Sequence, residues 1–332
     1  MLHTRLNIAL TDGILTLPDE GQIAVYGPGR EADLSDLPKD RVVIVAPDFP
    51  LHELWRSRGW SVAPALPDDT YAAALVCLPR AKPLGLAWLA EASRATGKGL
   101  IIIDGQKTDG IDSISKALKK RTGLLGVISK AHGKLLWVQG GDLSDWTAQD
   151  HSLPEGFITR PGVFSADGID KGSAALIGAL PATLKGRIAD LGAGWGLLAH
   201  HVLRQDTVTG IDLIEANATA LECARENITD PRAAFLWGDA TTYRGGPYDV
   251  VLSNPPFHTG RAGDPDLGRA FITTAAHILK GAGQFIMVAN RHLPYEEHLR
   301  SQFREVDEIG GTAGFKVIRA AKPNTKPGRG SR

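Results

Sequence analysis

Cysteine is nearly absent. Of 332 residues only Cys77 and Cys223 carry thiols, each set in apolar sequence, which excludes a disulfide framework and any cysteine-based metal spacing. Long apolar runs are missing as well; none approaches the roughly 18 residues a membrane-crossing helix needs. The opening Met1-Leu2-His3-Thr4-Arg5 leads into a polar-interrupted stretch without the pattern of a secretory signal, so a cytoplasmic location is expected. Net charge is missing too: Lys plus Arg and Asp plus Glu each number 37. Neither half is basic, with 17 basic against 18 acidic side chains in residues 1–150 and 20 against 19 in 151–332. A generic basic nucleic-acid binder is excluded, and contact with RNA would need a local patch.

Two such patches are present. Between Ser113 and Gly141 there is no acid, while Lys116, Lys119, Lys120, Arg121, Lys130 and Lys134 fall there. They read either as a substrate-contacting surface or as a solvated helix face. The stretch 322–332 is basic and rich in Pro and Gly, and is expected to be a flexible tail. The length suggests two domains, since one core rarely outgrows about 250–300 residues. We expect a first domain over 1–145, a linker within 140–158, and a second domain over 155–321.

The second domain carries the chemistry. Apolar runs predict strands near 187–191, 208–212, 234–238, 248–253 and 284–289, with helices over 172–180, 196–204, 213–228, 267–280 and 295–302. Two further runs, 303–309 and 315–320, flank a glycine-rich turn and read as an antiparallel hairpin added to a parallel sheet. The sum is a doubly wound α/β fold with ligands at the carboxyl ends of its strands.

Asp190-Leu191-Gly192-Ala193-Gly194-Trp195-Gly196 joins the first of these strands to a helix, a layout that brings backbone amides close to a cofactor. A dinucleotide fingerprint would have glycine where Leu197 stands, and Asp190 would repel a pyrophosphate but suits an ammonium. Asp212, at the expected end of the second strand, fits ribose hydroxyls or a helix N-cap; Asp239 fits an adenine amino group or a turn. At the end of the fourth strand, Asn254-Pro255-Pro256-Phe257 presents a carboxamide, two rigid backbone carbonyls and an aromatic ring. The Asn254 oxygen and the Pro255 carbonyl can accept the two N–H bonds of a planar amine while Phe257 stacks on its ring.

Residues 187–257 resemble class I S-adenosylmethionine-dependent methyltransferases that act on exocyclic or amide nitrogens. Pro161-Gly162-Val163-Phe164-Ser165, with Asp167, Gly168, Asp170, Gly172 and Ser173, resembles the lead-in of the ribosomal RNA guanine-N2 methyltransferases. Asn254 to His258, Ala289-Asn290, Leu293-Pro294-Tyr295 and Gly314-Phe315-Lys316-Val317 do so too. The small-subunit methyltransferase C type is the nearest family, with its large-subunit relative beside it. This resemblance implies S-adenosylmethionine as cofactor and ribosomal RNA or the small subunit as partner, with no metal or membrane, and a monomer. It assigns Asp190, Gly192, Gly194 and Gly196 to the methionine end, Asp212 to ribose and Asp239 to adenine. Asn254, Pro255, Pro256 and Phe257 hold the base, Asn254 also bordering the cofactor. Phe164 and Ser165 cover the cofactor. His258 and Lys316 are lesser candidates for substrate contact; a loop histidine without that duty and a hairpin-packing lysine are equally open. Trp195 is bulkier than is usual there and either crowds the methionine pocket or packs outward. Two rival readings stay open: methylation of a protein glutamine, and a non-catalytic ribosome-assembly factor.

The first domain repeats the pattern with the chemistry gone. Gln22 to Gly29 aligns with Arg187 to Gly194, Tyr71 to Arg80 with Tyr248 to Phe257, Gly99 to Asp104 with the run from Gly283, and Gly133 to Val138 with Gly314 to Arg319. Val25 then stands for Asp190 and Cys77 for Asn254. Such a copy is expected to bind no cofactor, and to support folding or contact RNA.

Overall fold

The computed structural model describes residues 2–256, 258–259, 262–263 and 265–324, apart from the side chains of His3 and of 258–263. The chain forms two compact units, one of 1–150 with 160–162 and one of 151–159 with the residues from 163 onward.

In the first unit a helix, α1 (Leu2–Thr11), precedes strands β1 (Gln22–Tyr26), β2 (Val42–Val45), β3 (Ser61–Ala63), β4 (Tyr71–Cys77), β5 (Leu100–Gln106), β6 (Gly126–Lys130) and β7 (Gly133–Gln139). Helices α2 (Phe49–Ser57), α3 (Lys82–Thr96) and α4 (Ile111–Arg121) connect them. The sheet runs β3-β2-β1-β4-β5-β7-β6, parallel up to β5 and antiparallel at β7 and β6.

The second unit opens on a short ribbon, β8 (His151–Ser152) with β9 (Ile158–Thr159), and then α5 (Lys171–Ala179). Its sheet holds β10 (Gly186–Leu191), β11 (Val208–Glu215), β12 (Ala233–Trp237) and β13 (Tyr248–Ser253). A two-residue ribbon, β14 (His258–Thr259) with β15 (Ala262–Gly263), precedes the longer β16 (Leu279–Asn290), β17 (Phe303–Gly311) and β18 (Phe315–Pro323). Helices α6 (Leu197–Val202), α7 (Ala218–Asn227), α8 (Pro265–Ile278) and α9 (Glu296–Gln302) complete it. The order β12-β11-β10-β13-β16-β18-β17 matches the first sheet position for position. Two Rossmann-like α/β domains in tandem, each ending in an antiparallel hairpin, are the fold the sequence led us to expect.

Side-chain alternation explains the double winding. Ala189, Leu191, Ile214, Val251, Phe285 and Met287 face a core shared with α8 and α9. Their chain neighbours Ile188, Ile211, Leu213, Val250, Leu252 and Ile286 face the opposite core, shared with α5, α6 and α7. A strand buried on both faces needs such continuous apolar sequence. Any polar residue within it is then assigned to one face by counting in twos.

Register makes the duplication explicit. Ile23 pairs with Ala73 as Ile188 pairs with Val250, and Cys77 pairs with Asp104 one step beyond Val76 and Ile103. Val25 therefore occupies the Asp190 position and Cys77 the Asn254 position, as aligned. The last segment slips by one. Lys134 lies opposite Gly105 as Lys316 lies opposite Ala289, so Gly133 is the counterpart of Phe315, not of Gly314. The apolar pattern alone leaves that shift unfixed, because glycines flank both strands.

Candidate active site

The glycine turn after β10 and the Asn-Pro-Pro segment after β13 come together because β10 and β13 are neighbours. With the lead-in segment and α5 they line a narrow cleft formed by Phe164, Ser165, Asp170, Ser173, the 192–195 turn, Leu197, Leu198 and Asn254. Phe164 is 63% exposed at its rim, where a solvent-facing aromatic ring is the anomaly. Ser165 beside it holds a left-handed backbone at φ 55°. Its hydroxyl donates to the Gly168 carbonyl at 2.7 Å, which fixes the bend.

Asp190 is fully buried, and both carboxylate oxygens lack a hydrogen-bond partner. Burial, then the charge of Glu215, push it up to about 8, with only the Ala199 backbone pulling the other way. A buried carboxylate left unpaired is costly, so this position fits a cationic guest. Gly194, at φ 57°, has no atom within 4 Å of where a Cβ would stand; the turn is an open cradle at that point. Its amide donates to Glu215 Oε2 at 2.7 Å, and Glu215 Oε1 accepts from the Asn217 amide at 2.7 Å.

Glu215 is the residue that the sequence reading missed, and Asp212 the one it misplaced. β11 does not end at Asp212 but runs three residues further. Asp212 shares a sheet face with Ile214 and points away from Asp190. There it accepts from Arg187 at 2.7 Å and from the Tyr248 hydroxyl, with Tyr243 bonded to Tyr248 behind. It does not cap a helix either, since Asn217 Oδ1 caps α7 through the Thr219 and Ala220 amides. Glu215, odd-numbered like Ile211 and Leu213, ends the strand on the Asp190 face. Counting the alternation through Leu213-Ile214 would have found it.

Asp239 follows β12 and accepts from the Thr241 amide and hydroxyl through one oxygen, at 2.8 and 2.6 Å. Trp195 borders the cleft and is buried, 4% exposed, in a cluster with Leu153, Phe157, Val163 and Cys223, its ring 5.0 Å from that of Phe157. Asn227 ties this cluster down by donating to the Trp195 and Ile158 carbonyls and accepting from the Ile158 amide.

Asn254 is half-buried, Pro255 buried and Pro256 exposed. The Asn254 Nδ2 donates to Asp170 Oδ2 and to Ser173 Oγ, both at 2.8 Å. Phe257 and the His258 side chain lie outside the described residues, as does the tail from 325 on.

Lys316 follows the hairpin-packing alternative. Its ammonium is buried and donates to the Leu293 carbonyl at 2.7 Å and to Glu296 in the first turn of α9. Its counterpart Lys134 pairs with Asp112 in the first turn of α4 at 2.7 Å. A lysine–acid pair kept where Asn254 has become Cys77 belongs to the hairpin and its helix. Of the basic run, Arg121 is held by Asp145 at 2.6 Å and lies 4.8 Å over Trp146, while Lys116, Lys119 and Lys120 are exposed on α4. None of this basic run lies among the residues lining the cleft. Among the described residues no group of three or more His, Cys, Asp or Glu is placed to hold a metal, and no helix is long and apolar enough to cross a membrane.

Fold and cleft define a methyltransferase: the Methyltransferase small domain family matches residues 155–319. Among curated proteins, the ribosomal RNA small subunit methyltransferase C of Shewanella sp. strain MR-4 is 31% identical over 72% of this chain and 73% of its own. That of Shewanella baltica strain OS195 is 30% identical over 75% and 76%. The chain belongs to the ribosomal RNA small subunit methyltransferase C family. In three dimensions it is similar to the T. thermophilus 16S rRNA N2 G1207 methyltransferase in complex with AdoMet and guanosine, with a TM-score of 0.76 and 23% identity, over 92% of this chain and 90% of that one. At that identity the likeness speaks for the two-domain fold.

Proposed function

We infer that the second unit transfers a methyl group from S-adenosylmethionine to the exocyclic N2 of a guanine in 16S ribosomal RNA. Family membership supports the reaction. The observation that ties it to this site is the unpaired, fully buried Asp190, two residues before the glycine turn that lines the same cleft as the Asn254 carboxamide. The residues present fit the cofactor: Asp190 and the 192–196 turn would take its methionine end, Glu215 its ribose and Asp239 its adenine. When bound, it supplies a methyl group on a sulfonium, so the protein needs positioning rather than a strong base.

The protein's own part is to make a poor nucleophile react. The Asn254 oxygen and the Pro255 carbonyl accept the two N–H bonds of the guanine amine, turning its lone pair toward the methyl group. Phe257 and Phe164 offer ring faces to a base that has left its stack, at a cost of a few kcal/mol in a duplex and less in a loop.

The first unit binds no cofactor in this account. Val25 removes the ammonium partner, the Trp88 ring packs where a Cβ on Gly27 would stand, and the Arg5–Asp104 ion pair is buried beside Cys77. The exposed α4 lysines are its contribution to RNA contact. The protein acts as a monomer in the cytoplasm, without a metal. Incubation with tritiated S-adenosylmethionine and small subunits from a strain lacking the enzyme tests the reading. Label is expected in 16S RNA; label in protein, or none, contradicts it.

A further inference from the structure

We propose that Asp170 and Ser173 are positioning residues that decide which end of the Asn254 carboxamide meets the substrate amine; this rests on the function inferred above. A carboxamide has one accepting and one donating end, and only the oxygen can take an N–H from guanine. Rotated by half a turn, Asn254 would set its own N–H groups against those of the amine. The structure prevents this by occupying both N–H groups. Asp170 Oδ2 and Ser173 Oγ each receive one at 2.8 Å. An ionised carboxylate only accepts, so the nitrogen faces Asp170 and the oxygen is left for the substrate.

The lock is itself held. Asp170 is the N-cap of α5, with extended backbone, and its Oδ2 also accepts from the Ser173 amide at 2.8 Å. Gly172 leaves the contact open: a Cβ there would stand 2.9 Å from Asp170 Oδ2 and 3.4 Å from Asn254 Oδ1. The helix begins 77 residues before the strand it serves, yet α5 packs beside β16, β17 and β18, which brings its N-terminus to the end of β13. In the first unit the pieces are missing together. Cys77 replaces the carboxamide, and α1, which precedes that sheet as α5 precedes this one, contains no acid.

One oxygen, Asp170 Oδ2, both caps α5 and accepts from Asn254, so asparagine at 170 keeps both contacts through its own oxygen. Serine also caps helices but is too short to reach Asn254, which separates the two roles. D170S is expected to lower kcat about tenfold or more while leaving S-adenosylmethionine affinity and melting temperature near those of the parent, and S173A to lower it several-fold. N254D sets two carboxylates against each other and is expected to be poor. In the double variant D170N/N254D, the amide at 170 donates to a carboxylate whose other oxygen faces the amine. We expect it to exceed N254D in kcat by about tenfold. A structural role for Asp170 gives no such rescue. Full turnover by D170S, or a double variant no better than N254D, overturns the proposal. Full turnover by N254A overturns the functional reading beneath it.

Discussion

Asp190 should make cofactor binding a proton-releasing event. Its carboxyl is fully buried, and burial with the neighbouring Glu215 charge pushes it up to about 8, where an ordinary aspartate titrates near 4. At pH 7 such a group is about nine-tenths protonated. A cofactor ammonium stabilises the carboxylate instead, so binding should expel most of one proton per chain. Affinity should climb with pH from about 6 to roughly 7–8, and fall again above about 8 as the cofactor's own α-ammonium loses its proton. Titration calorimetry at pH 7 in buffers of different ionisation enthalpy measures the proton count directly. D190N should abolish the release and weaken binding by roughly tenfold to a hundredfold, the worth of a charge-assisted bond.

The same shift sets the sign for stability. Because the folded pKa exceeds the unfolded one, the cofactor-free fold binds the extra proton and loses stability as pH rises from about 4 to about 8. D190N should remove that slope. A parent protein that binds S-adenosylmethionine without releasing a proton, or that D190N matches in both measurements, refutes the assignment of Asp190.

Replacing Asn254 with alanine should leave cofactor affinity near normal and cut kcat about a hundredfold, in the range seen when one oriented hydrogen-bonding group is lost; single-turnover kinetics beside calorimetry would check it. G172A should change melting stability by less than about 1 kcal/mol yet reduce turnover about tenfold, because the new Cβ displaces the Asp170 carboxylate. K316M should cost about 1–3 kcal/mol of stability in urea titrations while kcat of the folded fraction holds; a selective loss of RNA affinity would restore Lys316 to the substrate. Calorimetry on the full chain should give one cofactor per chain, and the D190N variant the same single site at the lower affinity given above.

What sequence could deliver here was periodicity and local chemistry. The four parallel strands around the site were legible because buried strands must be apolar throughout, and the glycine turn because Gly192, Gly194 and Gly196 all take positive φ. Asn254 stood out because proline on both following positions is rare without a geometric purpose. Where the reading failed, the missing quantity was a register or a partner. Asp212 ended the strand too early because an aspartate amid apolar residues looks like a terminus. Only the pairing of Tyr248 and Arg187 beneath the other sheet face shows that it is interior. Lys316 came in through the resemblance alone, and Glu296, twenty residues upstream, takes its charge. Asp170 was visible as part of a resemblance, but its contact with Asn254 spans 84 residues, and no local pattern encodes it.

The most direct test is chemical identification of the product. Small subunits from a strain lacking the enzyme would be incubated with the protein and labelled cofactor, and the 16S RNA digested to nucleosides for mass spectrometry. The account predicts one labelled species, N2-methylguanosine, lost in the N254A variant. A methyl group on a ring nitrogen, on another base, or on a protein glutamine would contradict it.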